Sequence, residues 1–410
     1  MATENKKYIP ALRFPEFQND GEWNYEYGNM LYDSIVNKKH KSDLPILAIT
    51  QDNGAIPRDE INYRVIVNDK SIEGYKIVEI GDFIISLRSF QGGIEYSRYK
   101  GLCSPAYIVL RKKHSKICDD FYRHYFKSFQ YIQALNRNLE GIRDGKMVSY
   151  KQFSDIKLPC PSLAEQKKIA DCLSSLDKYI DATKRKLELL KEHKKGLMQR
   201  LFPAKGKTTP ELRFPEFQND GEWQIVSLGE ITSVVNRRNK SNRSLPIYSI
   251  NNAEGFVPQS QQFAGMDSEA RGYDISAYKI IGKHTFAYNP ARINVGSIGY
   301  SGELKDILIS SLYVCFKTMD NVDDDFIMCF FNSYIFNQAV ESNVEGGIRS
   351  YLFYENFSRI NIAIPSLYEQ KRIASCITSI EDVIKQTNKQ ICLIETHKNG
   401  LLQQLFPKIK

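Results

Sequence analysis

Few places in this sequence put reactive residue types at a spacing that does chemistry, and each falls short of a complete site. Gly206-Lys-Thr208 ends like a phosphate-binding loop, in which glycine amides cradle phosphate oxygens. The first glycine of that pattern would fall at Leu201, inside a helical stretch, so no cradle is expected. Asn289-Pro-Ala-Arg292 begins like the Asn-Pro-Pro-Tyr loop that holds a flipped-out base, but it lacks the stacking aromatic. Gly296-Ser-Ile-Gly299 does not match the dinucleotide fingerprint. The carboxylates of Asp323-Asp-Asp325 are read as a cluster at a helix start, where the macrodipole favours negative charge, in preference to a cation site. None of the six histidines pair at metal-ligand spacing. The eight cysteines (103, 118, 160, 172, 315, 329, 376 and 392) come no closer than 12 residues and are read as buried free thiols. No Ser/His/Asp or Cys/His set emerges. The chain is expected to have no catalytic residues and no metal site of its own.

The elements that carry these residues belong to a sizeable folded protein. The chain has 410 residues, 42% hydrophobic and 25% charged, which is the balance of a folded chain and predicts two to four domains. No apolar run approaches the length of a membrane span, and the first residues, Met-Ala-Thr-Glu-Asn-Lys-Lys, lack the apolar core of a secretory signal. A cytoplasmic location is expected. Lys+Arg outnumber Asp+Glu by 35 to 26 over residues 1–205, while residues 206–410 hold 21 against 22. That excess permits a polyanionic partner without requiring one.

The dominant feature is internal duplication. Pro10 to Trp23 returns as Pro210 to Trp223 with 13 of 14 positions identical, and Pro161 to Pro203 returns as Pro365 to Pro407 with 21 identities in 43. A period near 200 residues is too long for a solenoid and marks a duplicated domain pair. Fainter collinear matches lie between the blocks, among them Leu44-Pro-Ile with Leu245-Pro-Ile, Tyr75-Lys-Ile with Tyr278-Lys-Ile, and Gly141-Ile-Arg143 with Gly347-Ile-Arg349. Each half thus holds a variable segment, about 24–157 and 224–361, between near-constant ends. Within these segments short runs such as Phe83-Ile-Ile85, Tyr107 to Leu110 and Ser311 to Phe316 read as strands punctuated by Gly, Asn and Pro. A helix is expected near Asp119–Asn138 and near Asp323–Ser342, giving an α+β domain with a curved sheet.

The second repeated block is a long helix. Ser162-Leu-Ala-Glu165 and Ser366-Leu-Tyr-Glu369 fit the capping box, with the glutamate reaching back to the cap amide. Ile169, Leu173, Leu176, Ile180, Leu187, Leu190 and Leu197 then follow heptad spacing. Ile373, Ile377, Ile380, Ile384, Ile391, Ile394 and Leu401 repeat that register. This period specifies a coiled-coil seam, and the economical arrangement pairs the two helices antiparallel. Thr183 and Thr387, with Lys194 and Lys398, interrupt the seam at matching places, either fixing its register or as tolerated polar positions. Lys184-Arg-Lys186, His193 and His397 lie off the seam and are read as solvated surface. At about 1.5 Å per residue the 39 residues from Leu163 to Leu201 span about 58 Å.

Two variable domains, each followed by Pro-Ser-Leu-x-Glu-Gln-Lys-[Lys/Arg]-Ile-Ala (161–170, 365–374) and a heptad helix ending Gly-Leu-x-Gln-x-Leu-Phe-Pro (196–203, 400–407), resemble the specificity subunit of type I restriction–modification systems over essentially the whole chain. The resemblance implies two pseudo-symmetric target recognition domains separated by an antiparallel coiled coil. These are residues 1–157 and 204–361, followed by long helices in 158–203 and 362–410. It implies that each domain reads one half of a split, asymmetric double-stranded DNA target, with the helices setting the unread spacer. Two modification subunits, which bind S-adenosylmethionine and methylate adenine, would dock on the repeated regions. Restriction subunits using ATP and Mg would join that complex, so this chain would bind no cofactor itself.

For such a reader, arginine suits guanine and asparagine or glutamine suits adenine. Loop residues of these types are Gln51, Asn53, Arg88, Ser89 and Gln91 in the first half, and Asn251, Asn252, Arg292 and Asn294 in the second. Arg143 and Arg349, shared between the halves, are expected to grip phosphate. The competing readings are an enzyme, active as the purified chain alone, and a protein-binding scaffold, whose binding would lack the steep salt dependence of phosphate contacts.

Overall fold

A computed structural model describes residues 8–41, 43–61, 69–137, 148–252, 254–263, 265–343 and 351–407. The fold is mixed α and β and divides into two compact units, residues 1–185 with 389–410, and residues 186–388. The two units repeat one element order. In the first, strands Tyr32–Ile35, Ile108–Lys112, Phe83–Ile85 and Glu95–Tyr96 are neighbours in that order, all antiparallel. In the second, Thr232–Val234, Val314–Thr318, Phe286–Tyr288 and Ile298–Tyr300 repeat that sheet. A hairpin of Leu47–Thr50 and Gly54–Pro57 lies beside this sheet in the first unit, and Ile247–Asn251 with Gly255–Pro258 is its counterpart in the second. The strand runs read from sequence fall on Phe83–Ile85, Ile108–Lys112 and Val314–Thr318.

Each expected single helix is instead two. Asp119–Tyr125 is followed by Phe129–Arg137, and Asp324–Phe331 by Tyr334–Asn343. A serine makes each break, since Ser128 Oγ accepts from the Tyr131 amide and Ser333 Oγ from the Phe336 amide, as a helix cap does. Two carboxylates of the acidic run are taken up by the fold. Asp323 Oδ1 accepts from the Phe326 amide at 3.0 Å, and Asp324 takes the hydroxyls of Tyr300 and Thr318. Of the cysteines, Cys103, Cys315 and Cys329 are buried and Cys392 is exposed. Among the described residues no helix is long and apolar enough to cross a membrane.

The two long helices are Leu163–Leu201 and Leu367–Leu405. Their first turns depart from the expected capping box. Ser162 Oγ does accept from the Glu165 amide (3.2 Å), and Ser366 Oγ from the Glu369 amide (3.3 Å). The glutamate carboxylate, however, goes to an arginine of the other repeated block. Arg13 Nε and Nη2 donate to the two oxygens of Glu165 at 2.7 and 2.8 Å, and Arg213 makes the same fork with Glu369 at 2.8 and 2.8 Å. Both carboxylates are 1% exposed, so a doubly bonded cation outcompetes a single backbone amide for them. The adjoining glutamines tie the helix to its domain. Gln166 Oε1 accepts from the Cys118 amide and Gln370 Oε1 from the Asp323 amide, at 3.0 and 2.9 Å.

Each unit contains the start of one long helix and the end of the other. In the first, Ile169 and Leu173 share a core with Leu405 and Phe406, whose ring meets Phe121 and Tyr125 at 5.4 and 5.2 Å. In the second, Ile373 and Ile377 share a core with Leu201 and Phe202. The segments within each unit therefore run antiparallel. Ile169, Leu173, Ile180, Leu187, Ile373, Ile377 and Ile391 are buried. Leu176, Leu190, Leu197, Ile380, Ile384, Ile394 and Leu401 are half-buried, and His193 and His397 are exposed. Thr183 and Thr387 are buried but satisfied within their own helices, donating to the carbonyls of Tyr179 and Val383 at 2.7 Å. The lysines reach across instead. Lys194 pairs with Glu381 in the second unit, and Lys398 pairs with Asp177 in the first. Lys184 also pairs across, with Glu395 at 2.7 Å.

Removing one partner of a buried ion pair strands the other charge. Arg13→Ala is therefore expected to destabilise the chain by about 3–5 kcal/mol. The drop is read as a fall in the midpoint of its first denaturant-unfolding transition. An unchanged midpoint would show that the fork contributes nothing.

Candidate nucleic-acid interface

The hairpin tip of the first unit is built by its turn chemistry. Thr50 Oγ1 donates to the Gly54 carbonyl and accepts from the Asn53 amide, both at 3.1 Å, and Gly54 takes a positive φ of 72°. This leaves the side chains of Gln51 and Asn53 exposed at the tip. The connection after Phe83–Ile85 forms a second projection, with Arg88 exposed before a short helix, Ser89–Gly92. The two projections touch. A Cβ on Gly92 would lie 2.6 Å from the Gln51 side chain, and one on Gly54 would lie 2.6 Å from the Tyr96 carbonyl. Lys127 clamps the pair, donating to the Gln51 carbonyl (3.1 Å) and to Glu95 Oε1 (2.5 Å).

The second unit brings the corresponding elements together with other residues. Its hairpin tip carries Asn251 and Asn252, and Gly255 supplies the positive φ. Its second projection runs from Asn289 to Ser297, with Arg292 and Asn294 exposed and Gly296 left-handed. Asn252 Nδ2 donates to the Val295 carbonyl at 2.9 Å, joining the two projections directly. Asn289 holds the loop, its carbonyl oxygen accepting from the Arg292 amide and its side chain from the Ala291 amide, both at 3.0 Å. The Asn-Pro motif thus shapes a turn.

One candidate is withdrawn. Ser89 is 1% exposed, and its hydroxyl accepts from the Ser86 amide at 2.9 Å, so it shapes the projection from inside. Asn252 keeps an exposed side chain but has committed its amide nitrogen, and Asn251 is half-buried with its oxygen accepting from the Glu254 amide. Gln51, Asn53, Arg88, Gln91, Arg292 and Asn294 are exposed. Arg143 and Arg349 lie outside the described residues. Lys127 and Glu95 escaped the sequence reading because no local pattern marks a pairing 32 residues apart.

Burial pushes the Glu95 carboxyl up to about 7, against the lowering effect of Lys127. The folded state therefore binds a proton that the unfolded chain has already released above its ordinary carboxyl value. The stability this confers is complete below the unfolded value and is lost as pH rises through about 7. The stability of Glu95→Gln relative to the unsubstituted chain should thus rise by roughly 2–3 kcal/mol between pH 5 and pH 8. Thermal melts of both chains across that range measure it, and a gap that stays constant or narrows contradicts it.

The comparisons with known proteins agree with this architecture. The family model described as the type I restriction modification DNA specificity domain matches residues 16–192 and again 220–396. The putative type I restriction enzyme MjaX specificity subunit of Methanocaldococcus jannaschii is 26% identical over 399 residues, covering 90% of this chain and 87% of its own. The MjaVIII specificity subunit of the same organism is 25% identical over 354 residues, covering 80% and 79%. The S subunit of a type I restriction–modification system from M. genitalium has the same fold, with a TM-score of 0.56 at 14% identity, covering 98% of this chain and all of that one. A chain from a structural study of type I complex assembly and conformational transition scores 0.55 at 15% identity, covering 94% and 97%. The chain belongs to the type I restriction–modification DNA specificity family and carries its domain twice, as a recognition subunit and not a catalytic one.

Proposed function

We propose that each half of this chain reads one part of a bipartite, asymmetric double-stranded DNA sequence. The observation that carries the reading is the pair of touching projections in each unit. The same backbone frame presents Gln51, Asn53, Arg88 and Gln91 in one unit and Asn252, Arg292 and Asn294 in the other. A shared frame with different donors and acceptors is what two readers of different half-sites need. Base edges in the major groove are told apart by their donor and acceptor pattern. Arg88 and Arg292 are assigned to guanine and the amides to adenine, while Arg143 and Arg349 are assigned to phosphate. Arg88 and Arg292 each stand beside a glycine-containing stretch.

In this reading the long helices set the unread spacer between the half-sites. Readers on one face of a duplex are separated by about 34–36 Å, one helical turn. A helix of 39 residues spans about 58 Å, enough to set that separation with part of its length beneath each domain. Two modification subunits, one per half, dock on the repeated regions, bind S-adenosylmethionine and methylate adenine. Restriction subunits with ATP and Mg complete the system in the cytoplasm. This chain contributes recognition alone.

Mapping methylated adenines across a host genome, with this chain and a matching modification subunit co-expressed, tests the reading. A two-part motif with a fixed gap, absent when this chain is omitted, supports it. Methylation unchanged without the chain overturns it. In the same assay Arg88→Ala should relax one half of the motif and Arg292→Ala the other, each by about 1–3 kcal/mol of discrimination. Relaxation of both halves by one variant would contradict independent readers. One heptad inserted after Leu187 should lengthen the gap and leave both half-motifs intact, whereas an unchanged gap removes the helices as the ruler.

A further inference from the structure

Two short turns stand outside the projections described above. Asn37-Lys-Lys-His-Lys41 and Asn236-Arg-Arg-Asn-Lys240 occupy corresponding places in the two halves, between the first sheet strand and the Leu-Pro-Ile run that enters the hairpin. Each carries three cations in five positions. The cationic residues change identity between lysine and arginine, yet the charge pattern is retained, while the exposed tip residues nearby are not.

The structure anchors both turns to the same neighbouring segment, by different bonds. The fourth residue of each is tied to the equivalent carbonyl, His40 through its ring and Asn239 through its backbone amide. His40 Nε2 lies 3.1 Å from the Tyr75 oxygen, and the Asn239 amide donates to the Tyr278 oxygen at 2.8 Å. Asn239 is fully buried, its Nδ2 donating to the Arg243 carbonyl and its Oδ1 accepting from the Arg243 amide, both at 2.9 Å. The Ile77 amide donates to the carbonyl of the first residue of its turn, Asn37, and the Ile280 amide to that of the second residue of its turn, Arg237, each at 2.7 Å. With the backbone so fixed, Lys38, Lys39, Lys41, Arg237, Arg238 and Lys240 are all exposed.

None of these six cations has an ion pair among the described residues. Neighbouring cations are committed by contrast: Lys76 and Lys279 donate to the Tyr107 and Tyr313 carbonyls at 2.5 and 2.6 Å, and Arg243 pairs with Asp306 at 3.5 Å. Three like charges on a pinned turn repel one another, and no carboxylate among the described residues pairs with them. A polyanion would. The placement also suits a duplex. Each turn precedes its hairpin strand, Leu47–Thr50 or Ile247–Asn251, and the reading tip follows it. At about 3.4 Å per residue such a strand covers roughly 14–17 Å. That is comparable to a major groove about 12 Å wide, so a tip at base edges would leave the turn beside a flanking backbone.

We propose that the turns Asn37–Lys41 and Asn236–Lys240 are paired grips for the phosphate backbone, one in each half. They bind without regard to sequence because phosphate is the same at every base pair. The inference rests on the DNA-reading function proposed above and adds the surface that supplies its non-specific affinity.

The test uses the complex of the full chain with its modification subunits. Fluorescence anisotropy is measured against a duplex bearing the mapped target and a scrambled duplex, over a series of KCl concentrations. The triple variants Lys38→Ala/Lys39→Ala/Lys41→Ala and Arg237→Ala/Arg238→Ala/Lys240→Ala should each weaken both duplexes by similar factors. Each should also flatten the log–log salt slope by about 2–3, at a slope near 0.9 per phosphate contact, and leave the methylation motif unchanged. The charge-keeping variant Lys38→Arg/Lys39→Arg/Lys41→Arg should retain the original slope, which separates lost charge from lost folding. An unchanged slope in the alanine variants overturns the grip, as does a loss confined to the target duplex. Release of the modification subunits with the slope intact would instead make the turns a protein-docking surface. If the unsubstituted complex binds neither duplex, the DNA-reading function itself fails, and the grip with it.

Discussion

A buried guanidinium–carboxylate fork stands at the foot of each long helix, and the rest of the architecture is organised around it. Arg13 with Glu165 and Arg213 with Glu369 join the two repeated blocks of their halves across about 150 residues of variable sequence. A charge pair with both carboxylates almost dry tolerates little displacement, because every misalignment leaves an ion without compensation. The fork therefore fixes where the helix leaves the domain. Its flanks reinforce that geometry: Lys168 pairs with Glu16 at 2.8 Å, Arg372 with Glu216 at 3.1 Å, and the Arg372 guanidinium lies 4.4 Å from the Phe214 ring centroid.

From that fixed exit the chain closes on itself. Phe406, four residues from the C-terminus, fills a core that Trp23 and Tyr32 also line, while Phe202 does the same work beside Trp223. The Leu12 amide donates to the Gln404 carbonyl, as the Leu212 amide donates to the Arg200 carbonyl. Each unit is thus completed by the far end of the helix that began in the other half. The variable segments can then differ freely at their surfaces, because the frame is held by the repeated blocks and by aromatic cores.

Recognition places a different demand on the same scaffold. The projections must be exposed, yet rigid enough that donors and acceptors meet a base edge in register. Glycine at Gly54 and Gly92 allows the close backbone approach in the first unit, Gly255 supplies the positive φ of the second hairpin, and the Asn252–Val295 and Lys127–Gln51 bonds provide the rigidity. Glu95, buried beneath the first pair, has a proton affinity shifted by burial, so the frame under one reader is sensitive to pH near neutrality.

Much of this was legible in the residues themselves. Duplication, heptad spacing and capping serines depend on local pattern, so the domain pair, the two long helices and their family resemblance were all readable. The serine breaks after Tyr125 and Phe331 were local signals too, but the apolar pattern on either side masked them. The partners chosen by polar side chains were not legible. The default for Glu165 was its own helix amide, and only the folded chain brings Arg13 within 2.7 Å of it. Ser89 looked like a loop donor until packing turned it inward, and the seam threonines proved satisfied within their own turns while Lys194 and Lys398 reached across. Sequence by itself determined the elements and their repetition, because those follow from interactions a few residues apart. Which charges meet, and which loop residues remain free to read a partner, was decided by contacts between segments 30 to more than 200 residues apart, which only the tertiary structure brings together.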